Sequence, residues 1–500
     1  MNSAGTTMQD FLKGKTILVI GTTGFLAKVF VEKILRIQPK IQKLYLLVRA
    51  SNTDLASHRL QNEVFQTDLF KVLREKLGED FNSYIAKKVV AIAGDLGVEN
   101  LGIKDNNIKN VMFEEIDIIV NSAGNTKFDE RFDISMSVNT KGALHVLNFA
   151  KNCHKMKVLV HLSTGKYLNQ NTSKLSSNEV IFQEKPFEIG ESLKGTSKLD
   201  IEIEMNLLEK KLDELRALNM DENKIKHALK DYGIERSNLH GWPNTYVFTK
   251  AMGEMLLVHY KDNVPLIIIR PAMVTSTSKD PFPGWIEGQR TVDSMICTYG
   301  KGKLPCFLGH PKTILDIIPA DLVINSVIAA MVINSNQAPK NFIYHVSSSL
   351  RNPLKVSDVH KISHQYFMKT PYINKNGKPI VISKGIALKS LSTFNIYVTI
   401  RYALPLKVFN LVNNIICHSF QDVYDDNYKK IRMVKKIAKL YKPYVFLKAV
   451  FDDTNTENLR RAAKSYNMEN EELEFDPTSI NWTDYMMNTH IPGLVKYAMK

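Results

Sequence analysis

Tyr246 and Lys250 lie four residues apart in Asn244-Thr245-Tyr246-Val247-Phe248-Thr249-Lys250, so a helix beginning near Asn244 carries phenol and ammonium on one face, one turn apart. The chemistry open to such a pair is proton transfer to a developing oxyanion. A phenol with its ordinary pKa of about 10 is a poor acid for that task, and a neighbouring ammonium that stabilises the phenolate is expected to lower the pKa of Tyr246. The spacing alone recurs by chance and also describes an exposed helix with a Lys stem lying on a ring. Its weight comes from what precedes it in order: a Gly-rich turn at Gly21 and a Ser-Thr pair at Ser163 and Thr164. Thr164 is expected to hydrogen-bond the same substrate oxygen as Tyr246. Ser163 competes for that role, and Thr164 is preferred because strand alternation gives only one of them the inward face.

The elements that must position these groups follow from the apolar pattern. Residues 15–20 form an uninterrupted buried strand, and 25–37 carry apolar residues at helical spacing. The turn Gly21-Thr22-Thr23-Gly24-Phe25-Leu26-Ala27 between them has the strand-turn-helix context of a dinucleotide site, with Gly21, Thr23, Gly24, Phe25 and Leu26 as candidate pyrophosphate contacts. Further strands are expected at 44–48, 89–93, 116–120, 158–162, 266–269 and 342–346. This alternation predicts an α/β fold: a doubly wound parallel Rossmann-type sheet with inserted helices at 198–232 and a smaller, mainly helical C-terminal domain. A polar stretch at 374–378 places the boundary, giving a Rossmann-type nucleotide-binding domain over 12–375 and a basic domain over 376–500.

Arg49 closes the second strand where an acidic residue would select NAD, which predicts NADPH. Asp95 after the third strand is a candidate adenine contact, Asn121-Ser122-Ala123-Gly124 supplies small residues beside the nicotinamide ribose, and Asn139 is a candidate for ordering a proton-relay water. Lys250 is expected to bind the ribose hydroxyls.

Composition narrows the partners. The formal net charge of +15 is spread along the chain without an Arg-rich, aromatic-interleaved run, which favours an anionic cofactor, an anionic substrate handle or a membrane surface over nucleic acid. Cys153, Cys297, Cys306 and Cys417 form no metal or disulfide pattern, so no metal is expected. No stretch reaches the length of a spanning helix; the segment 386–416, with Leu391, Phe394, Ile396, Ile400, Leu404, Val408 and Leu411 among Lys389, Arg401 and Lys407, fits either a bilayer interface or a buried helix pair. The N-terminus shows neither a signal core nor room for a plastid transit peptide.

The motifs together resemble the plant alcohol-forming fatty acyl-CoA reductases, the family that includes the male-sterility proteins. The resemblance rests on Gly21 to Lys28, Leu47-Val48-Arg49-Ala50, residues 125–131, His161-Leu162-Ser163-Thr164, His240-Gly241-Trp242-Pro243-Asn244 with Tyr246 and Lys250, Ile269-Arg270-Pro271-Ala272, Gly284-Trp285-Ile286-Glu287-Gly288, and Ile318-Pro319-Ala320-Asp321. It implies an extended or atypical short-chain reductase that converts a long-chain acyl-CoA, through an aldehyde, to a primary alcohol with two NADPH. It also implies a location at the endoplasmic reticulum surface or in the cytoplasm, possible peripheral membrane association through the C-terminal domain, and a role in wax, suberin or pollen-wall lipids. The chain departs from the family at Ile20-Gly21 and at Gly165-Lys166-Tyr167-Leu168, where relatives usually carry Thr-Gly and Ala-Tyr-Val; the second change is expected to reshape the acyl entrance. A weakly active or inactive NADP-binding paralogue and a nucleotide-sugar epimerase or dehydratase are the competing readings.

Overall fold

Alternate residues of the first apolar run face opposite ways. Ile17 and Val19 enter one hydrophobic cluster while Leu18 and Ile20 enter another, so this strand is covered on both faces, as a parallel sheet requires. The computed structural model describes residues 8–165, 180–194, 198–304, 306–335, 341–415, 418–447, 449–465 and 473–499. Its main sheet has seven strands: β1 (Thr16–Ile20), β2 (Lys43–Arg49), β3 (Val89–Gly94), β4 (Ile118–Asn121), β5 (Val158–Leu162), β6 (Leu266–Pro271) and β7 (Asn341–Val346). All neighbouring pairs are parallel and the order is β7-β6-β5-β4-β1-β2-β3. The order reverses between β1 and β4, and the crevice beyond the carboxyl ends of these two strands is where such sheets bind ligands.

The helix Phe25–Ile37 has the bounds its periodicity predicts, and Ala320–Asn334 packs against it. The Glu- and Lys-rich insertion is two helices, Ile201–Ala217 and Glu222–Leu239, each capped by an Asp at its N-cap, Asp200 and Asp221, as Asp side chains accept from orphan first-turn amides.

The C-terminal part is woven into the sheet domain. Val180–Phe182 pairs in parallel with Ala449–Phe451. Glu184 accepts from the His345 amide at 2.6 Å and from the Thr456 hydroxyl at 2.9 Å, and it also accepts from the amide of Asn455. Trp482 donates to the carbonyl of Asn352. Of the segment 386–416, the described residues to 415 do not form a buried helix pair: Phe394 and Val398 are buried, but Ile396, Ile400, Leu404, Val408, Leu411 and Ile415 are exposed, the last by 80%. No helix among the described residues is long and apolar enough to cross a membrane.

Candidate functional site

Gly21, first residue after β1, has φ +85, a conformation that L side chains rarely adopt. A Cβ there would lie 2.6 Å from the backbone nitrogen of Ala123, in the segment after β4. The turn is closed by the Gly24 amide donating to the carbonyl of Gly21 at 2.8 Å, and Thr22 is buried with its hydroxyl donating to Leu47 of β2 at 3.1 Å. Gly24 is the N-cap of Phe25–Ile37 and contributes no side-chain cap, so the first-turn amides are left for a ligand. Thr23 and Leu26 are half-buried beside it, and Phe25 is buried against Trp285 with ring centroids 5.3 Å apart. This tight, uncapped turn fits a dinucleotide pyrophosphate.

Arg49 ends β2 with its side chain exposed at the carboxyl edge of the sheet, in register with Gly94. Its carbonyl accepts from Arg59 at 2.7 Å, which brings a second guanidinium to that edge. The Asp95 carboxylate accepts from the Gly97 amide at 2.8 Å.

The helix Thr245–Tyr260 begins as predicted, with Asn244 as N-cap accepting from the Val247 amide at 3.1 Å. It carries Tyr246 and Lys250 into the core. The Lys250 ammonium donates to the carbonyls of Leu162 at 2.9 Å and Ala123 at 3.0 Å, and so ties the ends of β4 and β5 together. Burial lowers its pKa to about 8, opposed by the charge of Glu254 one turn further on. Gly124 makes room for this stem, because a Cβ there would lie 2.9 Å from Lys250 Cε.

The Tyr246 hydroxyl is hydrogen-bonded to Thr164. Burial raises its pKa, against the lowering effects of the Thr164 bond and the positive charge of Arg290. The expected depression by Lys250 is therefore not what the geometry delivers: the ammonium is directed at two carbonyls, and the phenol stays protonated. Ser163 and Thr164 are both buried, so alternation does not separate them, and the contact with Tyr246 does. Lys166, Tyr167 and Leu168, where the altered loop is expected, lie outside the described residues.

Asn139 sits in a π-helical turn, Met136–Lys141. Its side chain accepts from the Asn125 amide at 2.9 Å and donates to the Asn125 carbonyl at 3.1 Å and the Thr249 hydroxyl at 3.0 Å. These contacts clamp the loop after β4 to the Tyr246 helix. The motif residue His240 bonds Glu204 at 3.0 Å, and Glu204 also takes Arg236, so the two inserted helices are joined to each other beside the motif that leads to Asn244.

Three contributors escaped sequence reasoning. Arg290 lies 5.7 Å from the Phe25 ring centroid and acts on Tyr246; its only sequence signal is its place just after the Gly284-Trp285 motif. Tyr441 and Tyr444 reach the site from the far end of the chain, against Phe128. Among the described residues no cluster is suited to a metal ion.

Comparison with known proteins places the chain in a family. The family model described as male sterility protein matches residues 19–327, and a second with the same description matches 401–500. The chain is 50% identical to the probable fatty acyl-CoA reductase 4 of Arabidopsis thaliana, covering 98% of this chain and 99% of that protein. It is 48% identical to the alcohol-forming fatty acyl-CoA reductase of Simmondsia chinensis, covering 98% of each. Among solved structures, the reductase domain of a nonribosomal peptide synthetase from Mycobacterium tuberculosis aligns with a TM-score of 0.56 at 15% identity, over 99% of this chain and 93% of that one, a likeness of fold.

Proposed function

Because this chain belongs to the male sterility protein family of fatty acyl-CoA reductases, we propose that it reduces a long-chain acyl-CoA, through an aldehyde, to the primary alcohol, with NADPH as reductant. The single observation that carries the mechanism is the hydrogen bond between Tyr246 and Thr164 inside a buried site. A bound reduced nicotinamide would supply one hydride to each reduction, so that two NADPH are consumed per alcohol.

The chain's own residues do the rest. Tyr246, kept protonated by burial, has a proton to give; the Thr164 hydroxyl, which donates to the phenol oxygen in the free site, would turn its O–H to the carbonyl oxygen of the bound substrate as a second donor. The thioester oxygen gains negative charge as the carbonyl carbon becomes tetrahedral, and these two hydroxyls stabilise it until the thiolate of CoA leaves. In the second round Tyr246 protonates the alkoxide of the alcohol. Two of the three ammonium N–H groups of Lys250 are used on protein carbonyls, leaving one for ribose hydroxyls. Gly21, Thr23, Gly24, Phe25 and Leu26 would hold the pyrophosphate, Arg49 the 2'-phosphate that distinguishes NADPH, and Asp95 the adenosine end.

Residues 376–500 are proposed as the unit that meets a membrane, at the endoplasmic reticulum surface, where long acyl chains reside. The supporting observation is the exposure of Ile400, Val408, Leu411, Ile415 and Met433 in the same part of the chain as exposed Arg401, Lys407, Lys429 and Lys430. A surface-lipid product such as wax or suberin alcohol follows from the same reading.

The test is expression in a microbial host that makes no fatty alcohols, with gas-chromatographic assay of the wild type and of Tyr246→Phe. Alcohol from the wild type and its loss in Tyr246→Phe are expected. Undiminished alcohol from Tyr246→Phe would overturn the proton-donor role, and none from the wild type would favour an inactive NADP-binding paralogue.

A further inference from the structure

We propose that Tyr441 and Tyr444, in the last turns of the helix Gln421–Val445, are acyl-specificity residues that line the reaction site beside Tyr246. The proposal rests on the reductase reading above.

Phe128 is the centre of the arrangement. Its ring stacks on Tyr246 at 6.1 Å and 16°, on Tyr444 at 5.1 Å and 29°, and meets Tyr441 at 5.5 Å. Positions 441 and 444 share a helix face, so both rings arrive together. Two polar contacts hold the helix end in register. The Asn244 amide donates to the Tyr444 hydroxyl at 2.6 Å while its carbonyl oxygen caps the helix that carries Tyr246. Lys436 pairs with Asp129, next to Phe128, at 3.0 Å.

The consequence for a substrate is steric. A thioester carbonyl bonded to Tyr246 and Thr164 must run its first methylenes past whatever touches the Tyr246 ring. Tyr246 is only 7% exposed, Phe128 belongs to the apolar cluster that contains it, and Tyr441 and Tyr444 pack against that cluster. Aromatic faces suit an alkyl chain and limit its thickness, so branching and length near the carboxyl end would be read here. The same helix carries exposed Val423, Tyr428, Met433, Val434 and Ile437 further from the site. One helix therefore joins the apolar surface to the wall of the catalytic phenol.

Purified full-length wild type, Tyr441→Ala, Tyr444→Ala, Tyr441→Leu and Tyr444→Phe would be assayed with NADPH and a series of straight-chain and methyl-branched acyl-CoAs. The two alanine variants and Tyr441→Leu should change the ranking of acyl-CoAs, by kcat/KM, about tenfold, with KM for NADPH unchanged; pocket-size changes of one or a few carbons have effects of this order. Tyr444→Phe keeps every ring and should keep the ranking. A uniform fall in kcat for every acyl-CoA would mean structural support only and would overturn the proposal, as would a changed NADPH KM. Tyr441→Leu preserves buried apolar bulk, so it decides the matter if the alanine variants do not fold. A wild type that makes no alcohol overturns the reductase reading itself, whereas an active wild type with an unmoved ranking in the variants overturns only this assignment.

Discussion

Replacing Lys250 by methionine should cost activity far more than stability, and the stability difference should depend on pH in a direction the site dictates. Burial moves the ammonium pKa from 10.5 to about 8, which corresponds to about 3 kcal/mol of disfavour for the charged form in the folded protein. Against this stand hydrogen bonds to the carbonyls of Ala123 and Leu162, each contributing about 1–3 kcal/mol when the donor is charged. The two sides nearly offset, so Lys250→Met should fold with a stability within about 2 kcal/mol of the parent near neutral pH. Between the folded value of about 8 and the unfolded 10.5, the unfolded chain holds a proton that the folded chain has released. Stability of the parent relative to Lys250→Met should therefore climb with pH across that window, by at most about 3 kcal/mol, and be flat below it. Urea unfolding of both proteins at a series of pH values, followed by tryptophan fluorescence, measures the difference directly. If the ammonium also positions the ribose, kcat/KM of the parent should fall as pH rises through about 8. A stability difference that is flat or falls with pH across the window would refute the assignment of a charged, desolvated Lys250.

The other expectations are simpler. Gly21→Ala combines a φ of +85 with a Cβ at 2.6 Å from backbone, and should lose about 2 kcal/mol or more of stability together with NADPH binding, both read by thermal melting with and without cofactor. Thr164→Val should lower kcat by about 100-fold or more with intact folding, while Ser163→Ala stays within a few fold; the reverse ranking in steady-state assays would move the role to Ser163. Arg49→Glu should weaken NADPH by about tenfold or more and leave NADH binding nearly untouched, as measured by fluorescence titration.

Much of the frame is legible because its signals are local. β1 and the helix Phe25–Ile37 follow from a continuous apolar run and a 3.6-residue period, and Asn244 announces the start of the Tyr246 helix through its capping chemistry. The groups that escaped notice act across distance. Nothing around Tyr444 in the chain points to Asn244, 200 residues away, and a three-residue strand such as Ala449–Phe451 carries too little pattern to predict its pairing with Val180–Phe182. The effect of Lys250 on Tyr246 departs from the expectation for a related reason. Helical spacing sets which face two side chains share, but where the flexible Lys stem ends was decided by two carbonyls on β5 and after β4. Asn139 likewise shows its partners only once Asn125 and Thr249 are brought together.

The grip of Glu184 on Asn455 and Thr456 spans 271 and 272 residues of chain. At a synthesis rate of about 5–20 residues per second, the acceptor leaves the ribosome roughly 15–50 s before its donors exist. During that interval the sheet can be complete through β6 while Glu184 and the aromatic face of Phe128 still wait for the last part of the chain. A nascent molecule thus exposes apolar surface throughout most of its translation, and a message truncated near its 3' end would yield a protein with its nucleotide turn formed but its reaction chamber unsealed.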